Sequence, residues 1–432
     1  DVSKVGSVMH GIRVAGTIED IPGLVDLYQV QEMVIALPSA GSAPIKKAVE
    51  KGREAGLTKI RIVPSLTELI RGEASLSVLR EVRVEDLLGR EPFSLDPSSL
   101  EEFLKDKTIL ITGAAGSIGF ELSRQVARFG PSKLVLLDQD ETGIFHVLRE
   151  MKAYFPELQV EAVIANIRDQ HKIERIFSNS RPQVVFHAAA YKHVPLLEDH
   201  LDEAVKNNVF GTEVVARASI EYGVDKFILI STDKAVNPSS VMGMTKRIGE
   251  MMCQVFNQQH QTKFISVRFG NVLESRGSGI PLFKEQIAKR GPVQVTHPEM
   301  KRYFMMNSEA CLLVMQAGAM GQGGEVFVLD MGQPVNIVDL AREMIRLSGF
   351  EPDRDIPIVF TGIRPGEKLF EDILTAEEGT MATHHQKIFT AKLAQVNAEF
   401  FSRHLQMLRE KKDNGTKEEI REALGAFAIR IP

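Results

Sequence analysis

The sequence predicts an α/β protein organised around a doubly wound parallel sheet. Three observations lead there. Short, fully apolar runs recur between helix-like stretches from about residue 107 onward. A glycine-bearing loop, TGAAGSIG from Thr112 to Gly119, follows the first of these runs and opens a helix. An acid, Asp138, closes the second run. Strands without a polar face are covered on both sides, the pattern of a parallel sheet flanked by helices.

Bulk properties narrow the class. The 432 residues leave room for roughly two to three domains. Apolar residues make up 44% and charged residues 25%, ordinary values for a soluble globular protein. The 52 basic and 57 acidic side chains leave a formal charge of −5, which gives no footprint for nucleic acid. Cys253 and Cys311 fall in helix-like segments without metal spacing, so no metal site is expected and a reduced, cytosolic setting fits. No apolar run reaches the roughly 18 residues of a membrane span. The chain opens at Asp1 inside what reads as a domain, with no signal peptide and no initiator methionine. The expectation is a truncated N-terminal domain.

Residues 1–90 alternate strand-like and helix-like patterns. MVIAL (Met33–Leu37) and IRIV (Ile60–Val63) are short apolar runs, and IKKAVEKGREAG (Ile45–Gly56) between them has helical spacing and a glycine stop. This is a βαβ unit, a partial α/β domain. REPFSLDP (Arg90–Pro97) bears prolines and reads as a linker, taken as residues 91–104. The larger unit, residues 105–432, starts with the strand Thr108–Thr112. Lys133–Asp138, Val160–Ala165, Val184–His187 and Lys226–Ser231 follow, each separated from the next by a helix-like stretch. The tail from about Ala391 is amphipathic and helical, as in Val396–Leu405.

The loop with Gly113, Gly116 and Gly119 is suited to a dinucleotide. Small residues let the backbone approach a pyrophosphate, and the helix N-terminus offers free N–H groups and positive potential. The spacing is G-x-x-G-x-x-G, and a tight structural turn is the alternative for the loop taken alone. Asp138, at the end of the second strand, can hold the adenosine ribose hydroxyls and would repel a 2′-phosphate, which favours NAD over NADP. The sheet is therefore Rossmann-like.

A second cluster, FILISTDKAVNP (Phe227–Pro238), runs off the end of the fifth strand. Ligands of open α/β sheets sit at the carboxyl ends of strands, so Thr232, Asp233 and Lys234 are aimed at the cleft by topology. Adjacent strand residues face opposite ways, so at least one of the three lies on the departing loop. A solvated loop is the plainer alternative.

Several runs resemble the extended short-chain dehydrogenase/reductase family. They are HAAAYKHVPLLE (His187–Glu198), NNVFGT (Asn207–Thr212), STDKAVNP (Ser231–Pro238) and RFGNV (Arg268–Val272). With SRGS (Ser275–Ser278), RYF (Arg302–Phe304) and RPGEK (Arg364–Lys368), the chain from about Leu104 to about Lys392 resembles the polysaccharide-biosynthesis branch, the UDP-N-acetylglucosamine 4,6-dehydratases. In SSVMGMTK (Ser239–Lys246) the lysine of the usual Tyr-x-x-x-Lys is present as Lys246, and Met242 replaces the tyrosine. A thioether does no acid–base work. That replacement is typical of the large, membrane-anchored, C5-retaining members.

The resemblance implies NAD as cofactor, a UDP-sugar as substrate and a reaction in three steps. A hydride leaves C4 for NAD, water is eliminated across C5 and C6, and the hydride returns to C6. Asp233 suits the acid at C6, Lys234 the base at C5, and Thr232 the contact to the C4 oxygen. Lys246 is expected to hold the nicotinamide ribose. For Lys234 to be a base near pH 7, its pKa has to fall by about 3 units, roughly 4 kcal/mol, helped by Lys192 and Lys246 as nearby cations. Further cofactor contacts are implied for Ser117, Ile118, Asn166, Ile167, Ala188, Ala189, Ala190, Lys192 and Asn208. Asn166 stands where many relatives have an aspartate. Lys192, His193, Asn271 and Arg276 are implied on the substrate side, with Arg302 and Arg364 clamping the diphosphate. Glu274 stands where a small residue is common. The NAD-binding part is placed at about 105–270, and the smaller substrate-binding subdomain at about 271–310 and 355–432. The resemblance also implies a homo-oligomer paired through helices at about 198–222 and 240–260. It implies a place on the cytoplasmic side of the inner membrane, in a membrane-anchored protein of bacterial surface polysaccharide or glycoprotein sugar biosynthesis. Two other readings stay open: a nucleotide-sugar 4-epimerase, which normally needs the tyrosine, and a non-catalytic NAD-binding sensor.

Overall fold

The computed structural model describes residues 2–37, 42–63, 79–83, 86, 96–273, 275–372 and 379–427. It divides into two compact units. One comprises Asp1–Phe93, Phe283–Gln294 and Val338–Val359; the other comprises Ser94–Leu282, Val295–Ile337 and Phe360–Pro432.

In the first unit, α1 (Ile21–Tyr28) leads into β1 (Glu32–Ile35), α2 (Ser42–Glu54), β2 (Lys59–Ile62) and β3 (Arg80–Glu81). β1 and β2 are parallel and β3 adds antiparallel to β2. Ile45, Ala48 and Val49 recur at helical spacing on α2 and bury against Ile35, Ile60 and Ile62.

The second unit begins with α3 (Pro97–Leu104). Half of the stretch read as linker is thus a packed helix, with Leu100 and Leu104 fully buried. The Asp-Pro pair that suggests a break is here a helix start: the Asp96 carboxylate caps by accepting from Ser99 N–H, and Pro97 fills the first helical position. Residues 90–95 of that stretch lie outside the described residues.

Six strands follow: β4 (Thr108–Thr112), β5 (Lys133–Asp138), β6 (Val160–Ile164), β7 (Val184–His187), β8 (Lys226–Ile230) and β9 (Lys263–Arg268). β10 (Val326–Leu329), β11 (Thr380–Ala382) and β12 (Ile388–Ala391) complete a nine-stranded sheet among the described residues. Its order is β11-β12-β10-β9-β8-β7-β4-β5-β6, with β4 to β10 parallel and β12 pairing antiparallel with both β10 and the edge strand β11. Four of the five apolar runs are central strands, in which Ile109, Leu110, Ile111, Val184, Val185 and Phe227 are fully buried, whereas β6 is an edge strand without a buried residue. Strand order reverses between β4 and β7, which opens a crevice at their carboxyl ends.

The helices that matter for the site are α4 (Ser117–Ala127), α5 (Glu141–Tyr154), α6 (Gln170–Ser180), α7 (Val194–Asp199), α8 (Thr212–Glu221) and α9 (Val241–Gln259). A π-helical turn, Val205–Gly211, leads into α8. After α10 (Asn307–Met320), the chain ends in α11 (Ala398–Lys411) and α12 (Lys417–Gly425). Phe401, Leu405 and Leu408 of α11 and Ile420 and Leu424 of α12 join one apolar cluster with Ile248, Met252 and Phe256 of α9. Arg409 pairs with Glu213 of α8, and Arg421 with Glu198 of α7. The chain's own tail therefore packs on α8 and α9. Their exposed positions are Arg217, Glu221, Gln258 and Gln259, all polar.

Candidate active site

The crevice starts with the glycine loop. Gly113 has φ +70°, and a Cβ there would lie 2.6 Å from Ala189 N, so the turn after β4 can press against the 188–190 segment only as glycine. A Cβ on Gly119 would lie 2.1 Å from Gly113 O, which closes the α4 N-terminus onto the loop. Asp138 accepts from Ala115 N–H (2.9 Å) and Asp140 N–H (3.0 Å), holding its carboxylate at the rim. The first-turn N–H groups of α4, at Ser117, Ile118 and Gly119, have no acceptors within the helix. This is a cradle for a diphosphate with a ribose acceptor beside it.

His187, at the end of β7, locks the crevice from below. Thr212 Oγ1 donates to Asn208 O (2.7 Å), so it accepts from His187 Nε2–H (3.0 Å). His187 Nδ1 then accepts from Thr112 Oγ1 (2.8 Å), which itself accepts from Ala189 N–H. The ring is wholly buried, and burial, with the Lys246 charge added, pushes its pKa down to about 3. Asn208 continues the network. Its oxygen accepts from Tyr191 N–H, and its amide donates to Tyr191 O and Thr245 Oγ1. It is a strut between the 188–192 segment and α9.

At the end of β8 the chain enters a short 3₁₀ turn, Asp233–Ala235, capped by Thr232. Thr232 Oγ1 donates to Asp233 Oδ1 (2.8 Å), and Lys234 Nζ donates to the same oxygen (2.9 Å) and to Asn271 Oδ1 (3.3 Å). Asp233 is nearly sealed, with a side-chain exposure of 1%, and its Oδ2 is buried without a hydrogen-bond partner. Sequence reasoning misses the next neighbour: Glu371 Oε1 lies 3.5 Å from Lys234 Nζ. Its only signal is an acid three residues beyond RPGEK. Burial pushes the Lys234 ammonium down, but Asp233 and then Glu371 push it up more strongly, and it ends above the ordinary lysine value. The expected depression is therefore wrong for this state of the site, because the nearest charges are two carboxylates rather than Lys192 and Lys246.

The polysaccharide biosynthesis protein family model matches residues 109–393, the whole of this crevice and its substrate half. The chain belongs to this family. The capsular polysaccharide biosynthesis protein CapD of Staphylococcus aureus is 47% identical over 389 residues, covering 90% of this chain and 65% of CapD. The chain thus spans just under two thirds of that relative's length. A UDP-N-acetylglucosamine 4,6-dehydratase (inverting) of Campylobacter jejuni is 31% identical over 288 residues, 66% of this chain and 82% of that protein. Among solved structures, Pen from Bacillus thuringiensis superposes with a TM-score of 0.61 at 30% identity, over 71% of this chain and 98% of Pen. The Thermus thermophilus UDP-glucose 4-epimerase in complex with NAD shares the fold, with a TM-score of 0.53 at 20% identity over 75% of this chain and all of that one.

Within this family frame, α9 presents Met242, Lys246 and Glu250 one turn apart on one face. Met242 is 5% exposed and belongs to the apolar cluster, so its place is in packing rather than at the reacting atoms. A Cβ on Gly243 would lie 2.2 Å from Lys234 O, so this glycine lets the α9 N-terminus abut the 232–238 loop. Burial lowers the Lys246 pKa to about 8 against the opposing pull of Glu250. Glu250 is committed elsewhere: it accepts from Arg268 Nε and Nη2 (2.7 Å each) and Ser231 Oγ (2.6 Å).

Two residues implied on the substrate side, Arg276 and Arg302, are engaged by other groups of the protein. Arg276 N–H donates to Ser117 Oγ (2.9 Å) and its guanidinium to Asp140 (3.3 Å), which puts it over the glycine loop. Its neighbour Gly277 abuts His193, at the start of α7. Arg302 is buried, and its Nη1 donates to Lys301 O and Leu369 O and its Nη2 to Lys368 O. It staples the 368–369 backbone instead of presenting a free fork to a diphosphate. Lys192 and Arg364 are exposed, and Arg364 has no ion pair among the described residues. Asn166 accepts from Arg168 N–H and donates to Gln139 Oε1, while Ile167 is buried against Gly211. Glu274 lies outside the described residues.

Proposed function

We propose that this chain is an NAD-dependent 4,6-dehydratase of UDP-N-acetylglucosamine that yields the 4-keto-6-deoxy sugar. The observation that carries the reading is the buried Thr232–Asp233–Lys234 chain at the end of β8, present where the α9 phenol is replaced by a packed thioether. NAD, when bound, supplies an acceptor for the C4 hydride and the donor that returns it to C6. Gly113, Ser117, Ile118 and Gly119 would line its diphosphate, Asp138 its adenosine ribose, Ala188–Ala190 the face toward the nicotinamide, and Lys246 the second ribose. Arg364, which is exposed and has no ion pair among the described residues, suits the substrate diphosphate.

The protons balance within the cluster. Thr232 takes the C4 hydroxyl proton and passes its own to Asp233, to which it already donates. Asp233, now neutral, gives that proton to the C6 hydroxyl as it leaves, so the C4 proton and the C6 hydroxyl depart together as water. Lys234 removes the C5 proton and returns it after the hydride reaches C6, as a C5-retaining course requires. An epimerase on this scaffold needs an acid–base group at the position of Met242, and a sensor needs no buried Asp–Lys pair; both features favour the dehydratase. The reading extends to a membrane-anchored homo-oligomer on the cytoplasmic face that makes sugars for surface glycans. It keeps about 105–270 as the NAD-binding part and 271–310 with 355–432 as the substrate-binding part.

The test is incubation with UDP-GlcNAc followed by NMR. A 4-keto-6-deoxy product is expected. UDP-GalNAc would instead establish the epimerase, and unchanged substrate with bound NAD the sensor.

A further inference from the structure

Proton balance in that scheme leaves one requirement unmet. Lys234 must be neutral when it removes the C5 proton, yet it rests as an ammonium between two carboxylates. Asp233 cannot take the lysine's proton, because at that stage it already holds the proton from C4.

Glu371 is placed to do so. Its side chain is 3% exposed, with Oε1 3.5 Å from Lys234 Nζ and 3.8 Å from Arg302 Nε. Its Oε2 is buried with no hydrogen-bond partner. The segment that carries it is anchored twice. Arg302 holds the carbonyls of Lys368 and Leu369, and Lys368 Nζ donates to Val236 O (3.0 Å) on the loop that follows Lys234. A carboxylate kept only as a counter-ion for Arg302 would take the short, two-pronged geometry that a guanidinium offers and would have both oxygens satisfied. Glu371 does neither; its nearer cation is Lys234.

We infer that Glu371 is a further proton-handling residue of this site, acting through Lys234 as the group that holds the lysine's proton during elimination. This rests on the dehydratase reading above. The Lys234 ammonium transfers one proton to the Glu371 carboxylate, leaving an amine and a carboxylic acid. The amine takes the C5 proton; the C5–H electron pair forms the C5–C6 double bond as the C6–O bond breaks, and Asp233 protonates the departing oxygen. After hydride return, the ammonium gives its proton back to C5, and Glu371 returns the stored proton to the lysine. No proton is gained or lost beyond the water released. The groups facing Lys234 throughout are Asp233, Glu371, Asn271 and, at longer range, Arg302.

Glu371→Gln, made in the full chain with its NAD, keeps the shape and removes the proton acceptor. With UDP-GlcNAc, C4 oxidation should persist, read as absorbance of reduced cofactor at 340 nm, while keto-sugar formation falls at least 100-fold. Elimination at the wild-type rate overturns the inference. So does an equal loss of oxidation and elimination in a folded, NAD-loaded variant, which would mark Glu371 as structural. Should the glutamine variant not fold, Glu371→Asp decides by the same split, because it keeps the charge and withdraws the carboxyl by one methylene. It should slow elimination at least tenfold with oxidation retained; slowing both equally, or neither, overturns the inference. If wild-type enzyme makes no keto sugar, it is the dehydratase reading that fails instead.

Discussion

Acidification should loosen the second unit through His187. Its folded pKa, about 3, lies below the ordinary value of 6.5, because burial between Thr112 and Thr212 disfavours the charged ring. The sign follows from proton counts. Between pH 6.5 and 3 the unfolded chain binds a proton at this residue that the folded chain refuses, so stability rises with pH in that window. The full benefit of a neutral His187 is present above pH 6.5 and is lost as pH falls toward 3. Each unit is worth about 1.4 kcal/mol, so going from pH 7 to pH 5 should cost about 2 kcal/mol at this one site. With a transition entropy of about 2.1 cal/mol/K per residue over a unit of roughly 300 residues, that is a drop in Tm of about 3 °C.

The assay is calorimetric unfolding at pH 7 and pH 5 of the wild type and of His187→Asn. Asparagine can still donate to Thr212 and accept from Thr112, but it does not titrate. The variant should be less stable at pH 7, and its Tm should fall by about 3 °C less than that of the wild type between the two pH values. Equal pH shifts in the two proteins would refute the reasoning, since they would mean that the ring is hydrated or that the Thr112–His187–Thr212 chain opens without cost.

Two further substitutions probe the cradle and the missing phenol. Gly113→Ala places a Cβ 2.6 Å from Ala189 N at a φ of +70°, so dinucleotide affinity should fall at least tenfold in a calorimetric titration, and unchanged affinity would contradict the close approach. Met242→Tyr adds bulk and a hydroxyl to a packed cluster and should cost about 1–3 kcal/mol in denaturant unfolding without raising turnover; a more active variant would restore the tyrosine-centred reading.

The sequence made legible whatever was local. Four of the five strands from Thr108 to Ser231 were readable because buried parallel strands are continuous apolar runs; the fifth, Val160–Ile164, is an edge strand, and the observed ends differ by a single residue at Ile164 and Ile230. The glycine loop, Asp138 and the Thr232–Lys234 run were readable because each is a short contiguous motif tied to a strand end. Helix α3 was hidden because a proline at a helix start has the same local signature as a break. Glu371, the stapling role of Arg302 and the reach of Arg276 onto the glycine loop were hidden for a different reason. Each depends on where a distant segment folds back, and residue type alone does not say whether a guanidinium will meet a phosphate or a backbone carbonyl. The packing of the tail on α8 and α9 is the same kind of fact: an amphipathic stretch at Val396–Leu405 announces a helix but not its partner.

The two lysines of the crevice show what the loss of a phenol entails. A tyrosine at position 242, one helical turn from Lys246, would give that ammonium an anion to stabilise. Met242 offers none, and Glu250, one turn further along, is already occupied by Arg268 and Ser231. Burial then dominates at Lys246 and brings its pKa to about 8, so the ammonium is held less firmly than a free lysine's but still prevails near pH 7. At Lys234 the balance is reversed: Asp233 and Glu371 outweigh burial and hold the ammonium charged. The more firmly held of the two positive charges thus lies at the end of β8, beside a carboxylate that accepts from Thr232 and a second 3.5 Å from the lysine. Restoring a phenol at position 242 would return an acid–base group to α9 without changing either carboxylate at Lys234. Proton handling is therefore expected to stay at the end of β8 whatever residue occupies position 242.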